Sequence, residues 1–286
     1  MQSTTPTAKL PTELWYIVID FLQHDNKALK SCGLVHRDWL SAARSHLFNT
    51  LEICPRASYA DLHTFLRFLK TCNDARAYLR NLTLNCAAVF PSSEATEQFS
   101  ASHLYTVVST LVGLKQLTIV GLAFDSFPVP VEKRLAISTL EIIGCRYHND
   151  DISTVTNIIR MFSSIGTLSV DGCFTRGPAC ESLNGRIFSQ TDIRHLKCDT
   201  IGTGPSAYVY DIVGHTESPG NTLESIHFCW QSWSDLEASG RLLIQAGRGL
   251  RALELEPADE FWERGMPSEL YRFRSRLFVL TRILHD

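Results

Sequence analysis

One spacing recurs along the chain and constrains its fold more than any other feature: apolar-x-x-apolar-x-apolar. It fits Leu79/Leu82/Leu84, Leu114/Leu117/Ile119, Ile137/Leu140/Ile142, Ile165/Leu168/Val170, Ile193/Leu196/Cys198, Leu223/Ile226/Phe228 and Leu250/Leu253/Leu255, and Phe48/Leu51/Ile53 opens the series. First positions lie 31, 35, 23, 28, 28, 30 and 27 residues apart. Each interval holds about one strand and one helix, so every unit would bury its apolar side against its neighbours.

Helical patterns fill the intervals at 59–72, 100–111, 150–163, 177–190, 206–216 and 233–246. In 150–163, Ile152, Val155, Ile158, Ile159 and Phe162 recur at three and four residues. The span 123–136 differs, because Pro128 and Pro130 break a helix and the short interval leaves room only for a loop. The expected class is α/β, with a parallel sheet and helices on one side. Strand side chains alternate between faces. With Leu82 and Leu84 inward, the outward set includes Thr83, Thr118, Glu141, Asp171, His195, Lys197, Asp199, His227, Glu254 and Glu256. Acids outnumber the single lysine in that set, which favours a basic partner segment by electrostatic complementarity. The plainer reading is an ordinary solvated sheet face.

The 286 residues suffice for a sizeable core, and 44% apolar with 20% charged residues is ordinary globular composition. A formal charge of −3 makes no case for a nucleic-acid or membrane partner. Nine cysteines without a C-x-x-C pair read as reduced thiols, which points to cytosol or nucleus. The run Leu14–Leu22 contains Asp20 and lacks a cleavage site, so it is a poor signal peptide, and no run is long enough to span a bilayer.

Residues 1–7 form a polar tail. Leu10-Pro11-Thr12-Glu13 then starts a helix, with Pro11 suited to the first helical position, and the helix runs to about Leu22. It carries two apolar stripes, Leu14/Ile17/Val18/Phe21 and Trp15/Ile19/Leu22, where one buried face needs only one. A second helix follows Asp25, a good N-cap, and is expected to stop at Gly33 in the left-handed conformation; a third carries Val35, Trp39, Ala42, Ala43, His46 and Leu47. So small a unit with surplus apolar surface suggests one side against its own neighbours and the other against a second protein.

These residues carry a resemblance: Leu10-Pro11-x-Glu13-Leu14, Ile17-Val18-x-x-x-Leu22, Asp25, Ala28-Leu29, Leu34-Val35-x-Arg37-x-Trp39 and Ala43-Arg44. The segment 8–50 resembles an F-box of the form common in fungal proteins, although His36 stands where the family often has Cys. The resemblance implies docking on the adaptor subunit of a cullin-RING ubiquitin ligase through Leu10, Pro11, Leu14, Val18, Leu22, Val35 and Trp39. Residues 51–286 resemble irregular leucine-rich repeats, which implies a solenoid with a concave parallel sheet. Cys145 and Cys173 fall where that family places an Asn or Cys that hydrogen-bonds the turn backbone.

Local motifs are weaker. Gly202-Thr203-Gly204-Pro205-Ser206-Ala207 outlines a dinucleotide-binding turn, but Pro205 removes a backbone N–H from it. Cys173, Cys180, His195 and Cys198 have irregular spacing for zinc and include no tight Cys pair. No G-x-S-x-G or H-E-x-x-H occurs. A helix at 268–285 mixes Leu270, Leu277, Phe278 and Ile283 with Arg272, Arg274, Arg276 and Arg282, and suits a solenoid cap. The expected function is substrate recognition in a ubiquitin ligase, without a catalytic site, metal or cofactor of its own. Two alternatives stay open: a repeat-based interaction protein whose F-box enters no ligase, and a small-molecule or hydrolytic α/β enzyme.

Overall fold

The recurring apolar triads become the strands of one sheet. The computed structural model describes residues 11–54, 60–85, 101–124, 134–147, 153–172, 191–199, 222–230 and 233–257. Eight parallel strands form an open sheet: β1 (Thr50–Ile53), β2 (Asn81–Asn85), β3 (Gln116–Val120), β5 (Leu135–Ile143), β7 (Phe162–Asp171), β8 (Asp192–Asp199), β9 (Ser225–Trp230) and β10 (Ala252–Pro257). They lie side by side in chain order. Register aligns Leu51, Leu82, Leu117, Leu140, Leu168, Leu196, Ile226 and Leu253 in one row, and Ile53, Leu84, Ile119, Ile142, Val170, Cys198, Phe228 and Leu255 in the next. From β2 to β9 both rows are buried, and each buried leucine contributes roughly 1.5–3 kcal/mol.

Strict alternation would send the first apolar residue of each triad to the wrong face, because it stands three positions before the second. A shared carbonyl resolves this. Asn49 O accepts the N–H of both Arg80 and Asn81, at 2.9 and 3.0 Å; Arg80 O accepts from Lys115 and Gln116, at 2.7 and 2.9 Å. Lys115 O accepts from Ser138 and Thr139, both at 2.9 Å, and Glu224 O from Arg251 and Ala252, at 2.7 and 3.1 Å. Two successive N–H groups on one acceptor bend the chain as a bulge does. Leu79, Leu114 and Ile137 are consequently buried as well, and Ile165, Ile193 and Leu223 are buried at the same position of their own triads.

The strand exits repeat too. Gly121, Gly144 and Gly172 follow β3, β5 and β7 at φ of 66°, 59° and 57°, a region that favours glycine. Gly121 N–H donates to Ile143 O and Gly144 N–H to Asp171 O, both at 2.8 Å. Just beyond, Leu122 and Cys145 are buried. The Cys145 thiol lies 3.8 Å from Ile119 O and 3.6 Å from Ile143 O, the turn-backbone contact expected of it. Cys173 lies outside the described residues.

Helices α4 (Ala60–Thr71), α6 (Ala101–Thr110), α7 (Ser153–Arg160) and α8 (Trp233–Ala246) occupy four of the expected intervals. Phe65, Leu66 and Leu69 of α4, Leu104, Val107 and Val108 of α6, Val155, Ile158 and Ile159 of α7, and Leu242 and Ala246 of α8 share one core with the strand rows. The expected helix 150–163 is cut short, because Phe162 already opens β7 and is buried there. The expected loop 123–136 contains β4 (Ala123–Phe124), which pairs with β6 (Arg146–Tyr147) in a second small sheet, and the first residues of β5. The patterns at 177–190, 206–216 and 268–285 lie outside the described residues.

Ahead of the sheet stand α1 (Thr12–Asp20), α2 (Asn26–Val35) and α3 (Arg37–Leu47). Pro11 is the N-cap of α1 rather than its first residue, and the helix ends at Asp20, short of Leu22. Asp25 caps α2 as expected, its Oδ1 accepting the N–H of Lys27 and Ala28 at 3.0 Å. Gly33 does not end α2: it sits inside the helix, where an added Cβ would meet Leu40 Cδ1 at 3.4 Å, so its role is the close approach of α2 to α3. The actual break is His36, extended at φ −144°, whose Nδ1 accepts the N–H of Asp38. From α3 the chain passes directly into β1, and Ser41 Oγ lies 3.1 Å from the Tyr78 hydroxyl on α5 (Asn73–Tyr78).

Two glycines separate conformational from steric cost. Gly144→Ala meets nothing within 4 Å but keeps a φ of 59°, so unfolding should be easier by about 1–2 kcal/mol. Gly166→Ala places a Cβ 2.5 Å from Ser138 O, between β5 and β7, and should cost about 1–3 kcal/mol with local strand disruption. Urea denaturation of both variants, with amide exchange across β5 and β7, checks the distinction.

Candidate functional site

Two surfaces stand out, one on the helices ahead of the sheet and one on the sheet. In the helical head, Ile19, Leu29 and Ala42 form a small core of their own, with Leu22, Trp39 and Leu47 packed against it. Trp15 lies on Trp39 with ring centroids 4.6 Å apart, and His46 Nε2 meets Asp20 Oδ1 at 2.7 Å, tying α3 to α1. The two stripes of α1 thus divide. Trp15, Ile19 and Leu22 turn inward, while Leu14, Ile17, Val18 and Phe21 lie on the outside.

Phe21 is 84% exposed, Val18 48%, Leu34 89% and Val35 70%. Positions i, i+3, i+4 and i+7 make the α1 group one continuous strip. Of the residues expected to touch an adaptor, Pro11, Leu14, Val18 and Val35 are exposed. Leu22 and Trp39 differ: they are half-buried against the head's own core, because the short head has few other large side chains to fill it. Leu10 lies outside the described residues. Ile17, Phe21 and Leu34 are exposed apolar groups absent from the expected anchors; Ile17 and Phe21 were signalled by sharing a stripe with Leu14 and Val18.

The second surface is the polar face of the sheet. All-parallel sheets are usually covered on both faces; here the outward side chains remain half-exposed or exposed along much of the sheet. Register places Glu52, Thr83, Thr118, Glu141, Ser169, Lys197, His227 and Glu254 in one row across all eight strands. Within it, Thr118 Oγ1 donates to Glu141 Oε2 at 2.9 Å, and His227 Nδ1 lies 2.7 Å from Glu254 Oε2. Asn85 Nδ2 donates to Glu52 Oε1 at 2.9 Å. Glu52 belongs to the pattern although it was not among the expected positions; the alternation Leu51-Glu52-Ile53 was its signal. Asp171 and Asp199 pair in the next row, where Glu256 pairs with Cys229.

His195 stands in the row below, its Nδ1 2.8 Å from Ser225 Oγ. The flanking positions are Thr167 and Ala252, so that row supplies no carboxylate to orient the imidazole. Cys198 is buried on the opposite, apolar side from His195, so this pair does not converge on a metal. Among the described residues no group of three or more His, Cys, Asp or Glu could hold a metal ion. The Gly202–Ala207 turn lies outside the described residues. Among the described residues no helix is long and apolar enough to cross a membrane.

At the strand starts the polar face ends in a groove of about 930 Å³, lined among others by Lys115, Ser138, Gly166, Arg194, His195 and Glu224. Its lining is more polar than apolar, and it is partly open rather than enclosed. Because neighbouring strands follow chain order throughout, the sheet lacks the reversal point at which doubly wound sheets open a ligand crevice.

No protein-family model matches the chain, and no curated protein sequence matches it.

The division of the α1 stripes has a measurable consequence. Leu29→Ala, at a fully buried position, should destabilise the head by about 2–5 kcal/mol. Leu34→Ala, 89% exposed, should change stability by about 0.5 kcal/mol or less. Thermal melts of the two variants, with amide exchange followed across α1–α3, test this.

Proposed function

We propose that the chain is a substrate receptor of a cullin-RING ubiquitin ligase. In this reading α1–α3 are an F-box that docks on the adaptor subunit, and the strand-and-helix units are a leucine-rich-repeat-like solenoid whose polar sheet face holds the target. The observation that carries the reading is the outward strip of α1 with Leu34 and Val35. The head has its own core, yet leaves Leu14, Ile17, Val18, Phe21, Leu34 and Val35 exposed, and such surface marks a protein-binding site. The F-box-like order of Leu14, Val18 and Val35 within residues 8–50 supports the choice of partner.

Transfer of ubiquitin would then need no catalytic group in this chain. The receptor raises the target's effective concentration beside the transferring subunits, a contribution of proximity. Reduced cysteines fit work in the cytosol or nucleus, and no cofactor is required.

The test is capture of the purified recombinant adaptor subunit by the full chain. Val18→Glu and Val35→Glu alter exposed positions, so their circular dichroism should match the parent. Each should weaken capture by about tenfold or more, because an unpaired charge buried in an apolar interface costs on the order of 2 kcal/mol or more. Undiminished capture by both folded variants would overturn the docking surface. Absence of capture by the parent chain would favour an interaction protein that works outside a ligase.

A further inference from the structure

The charges of the polar face are sorted by register. The residues just ahead of the uncharged outward position on each strand are Asn49, Arg80, Lys115, Ser138, Gly166, Arg194, Glu224 and Arg251, so four of the eight are cations and the one acid is Glu224, 4.0 Å from Arg251. Lys115 and Arg194 are exposed and line the groove. Three residues further along the strands comes the row holding Glu52, Glu141 and Glu254, with Lys197 its one cation. Between them runs an uncharged row of Thr50, Asn81, Gln116, Thr139, Thr167 and Ser225, joined by His195.

Three residues of strand separate the basic row from the acidic one by roughly 10 Å. The acidic side is pre-organised: Glu141 accepts from Thr118, Glu52 from Asn85, and Glu254 is paired with His227. Gly166 leaves the middle of the basic row without a side chain. Asp192 borders the groove one step further out, opposite Ser164, and so limits how far an anionic group can extend past Arg194.

We propose that this face docks a polypeptide segment whose own charges are segregated, acidic side chains meeting Lys115 and Arg194 and basic side chains meeting Glu141 and Glu254. The inference rests on the reading of the sheet face as the target-binding surface and names the chemistry of the target. A uniformly basic segment would gain the acidic row but face Lys115 and Arg194. A polyanion would gain those two and be repelled by the glutamates. Only a bipolar segment satisfies both rows.

The experiment uses the full chain and four synthetic peptides at low ionic strength: a glutamate block joined through Gly-Ser to a lysine block, its scrambled isomer, polyglutamate and polylysine. The block peptide should bind about tenfold more tightly than the scrambled isomer, and the difference should shrink with salt. Lys115→Glu with Arg194→Glu should abolish the preference, and so should Glu141→Lys with Glu254→Lys. The fourfold variant, which reverses both rows, should regain it with the peptide turned around, a rescue that damaged folding could not produce. Equal binding of the scrambled isomer, polylysine or polyglutamate binding as tightly as the block peptide, or binding of none of the four overturns the proposal. Adaptor capture is read separately, so failure here with capture intact removes the bipolar target and leaves the receptor reading standing.

Discussion

The structure depends on one hydrogen-bonding device, the carbonyl just ahead of β1, β2, β3 and β9 that accepts two successive N–H groups from the next unit. Without it, a three-residue gap would carry Leu79, Leu114 or Ile137 to the polar face, and each unit would lose one of its buried anchors. With it, the chain bends once, the first apolar residue returns to the core, and two consecutive residues are left facing outward. Those two residues supply the charged rim and the uncharged row of the polar face. The same backbone bond therefore closes the core and lays out the charge pattern opposite it.

The helical head obeys a different constraint. Three short helices enclose little volume, so Leu29, Ile19 and Ala42 suffice for a core and Trp15, Trp39 and Leu22 cover its edges. A unit this small cannot hide Leu14, Val18, Phe21, Leu34 and Val35 as well. Its attachment through β1 and through Ser41 and Tyr78 fixes it to the first units of the sheet. In the proposed receptor, adaptor and target surfaces are thereby held on one framework rather than joined by a long linker.

Much of the sheet was legible because each strand repeats a buried pair whose spacing survives substitution of Leu by Ile, Val, Cys or Phe. Registers and strand order follow from that pattern alone. Helix ends were less legible. Phe162 fits the helical period of Ile152–Ile159 and also the start of β7, and only the pairing of Leu135 with Phe162 decides. Gly33 read as a helix stop because glycine serves equally for a left-handed turn and for close helix packing. The glycines after Val120, Ile143 and Asp171 were a repeat signal in plain view, masked by unequal intervals. On the sheet face the residues were readable but their partners were not, since Thr118 with Glu141 and His227 with Glu254 meet only across strands distant in sequence. Which stripe of α1 turned inward could not be read from α1 itself, because it is set by Trp39 and Leu47 on α3.

The unbroken correspondence between chain order and strand order bears on how the molecule assembles. Within the eight-stranded sheet each strand's partner on one side is the strand that precedes it in that sheet, so none must wait for a distant stretch of polypeptide to complete its first ladder. Loop closure stays short, contact order stays low for a sheet of this size, and growth from the head onward can proceed by accretion during synthesis. At every stage, however, the newest strand presents an open ladder, so the leading edge of the growing sheet is where mispairing threatens.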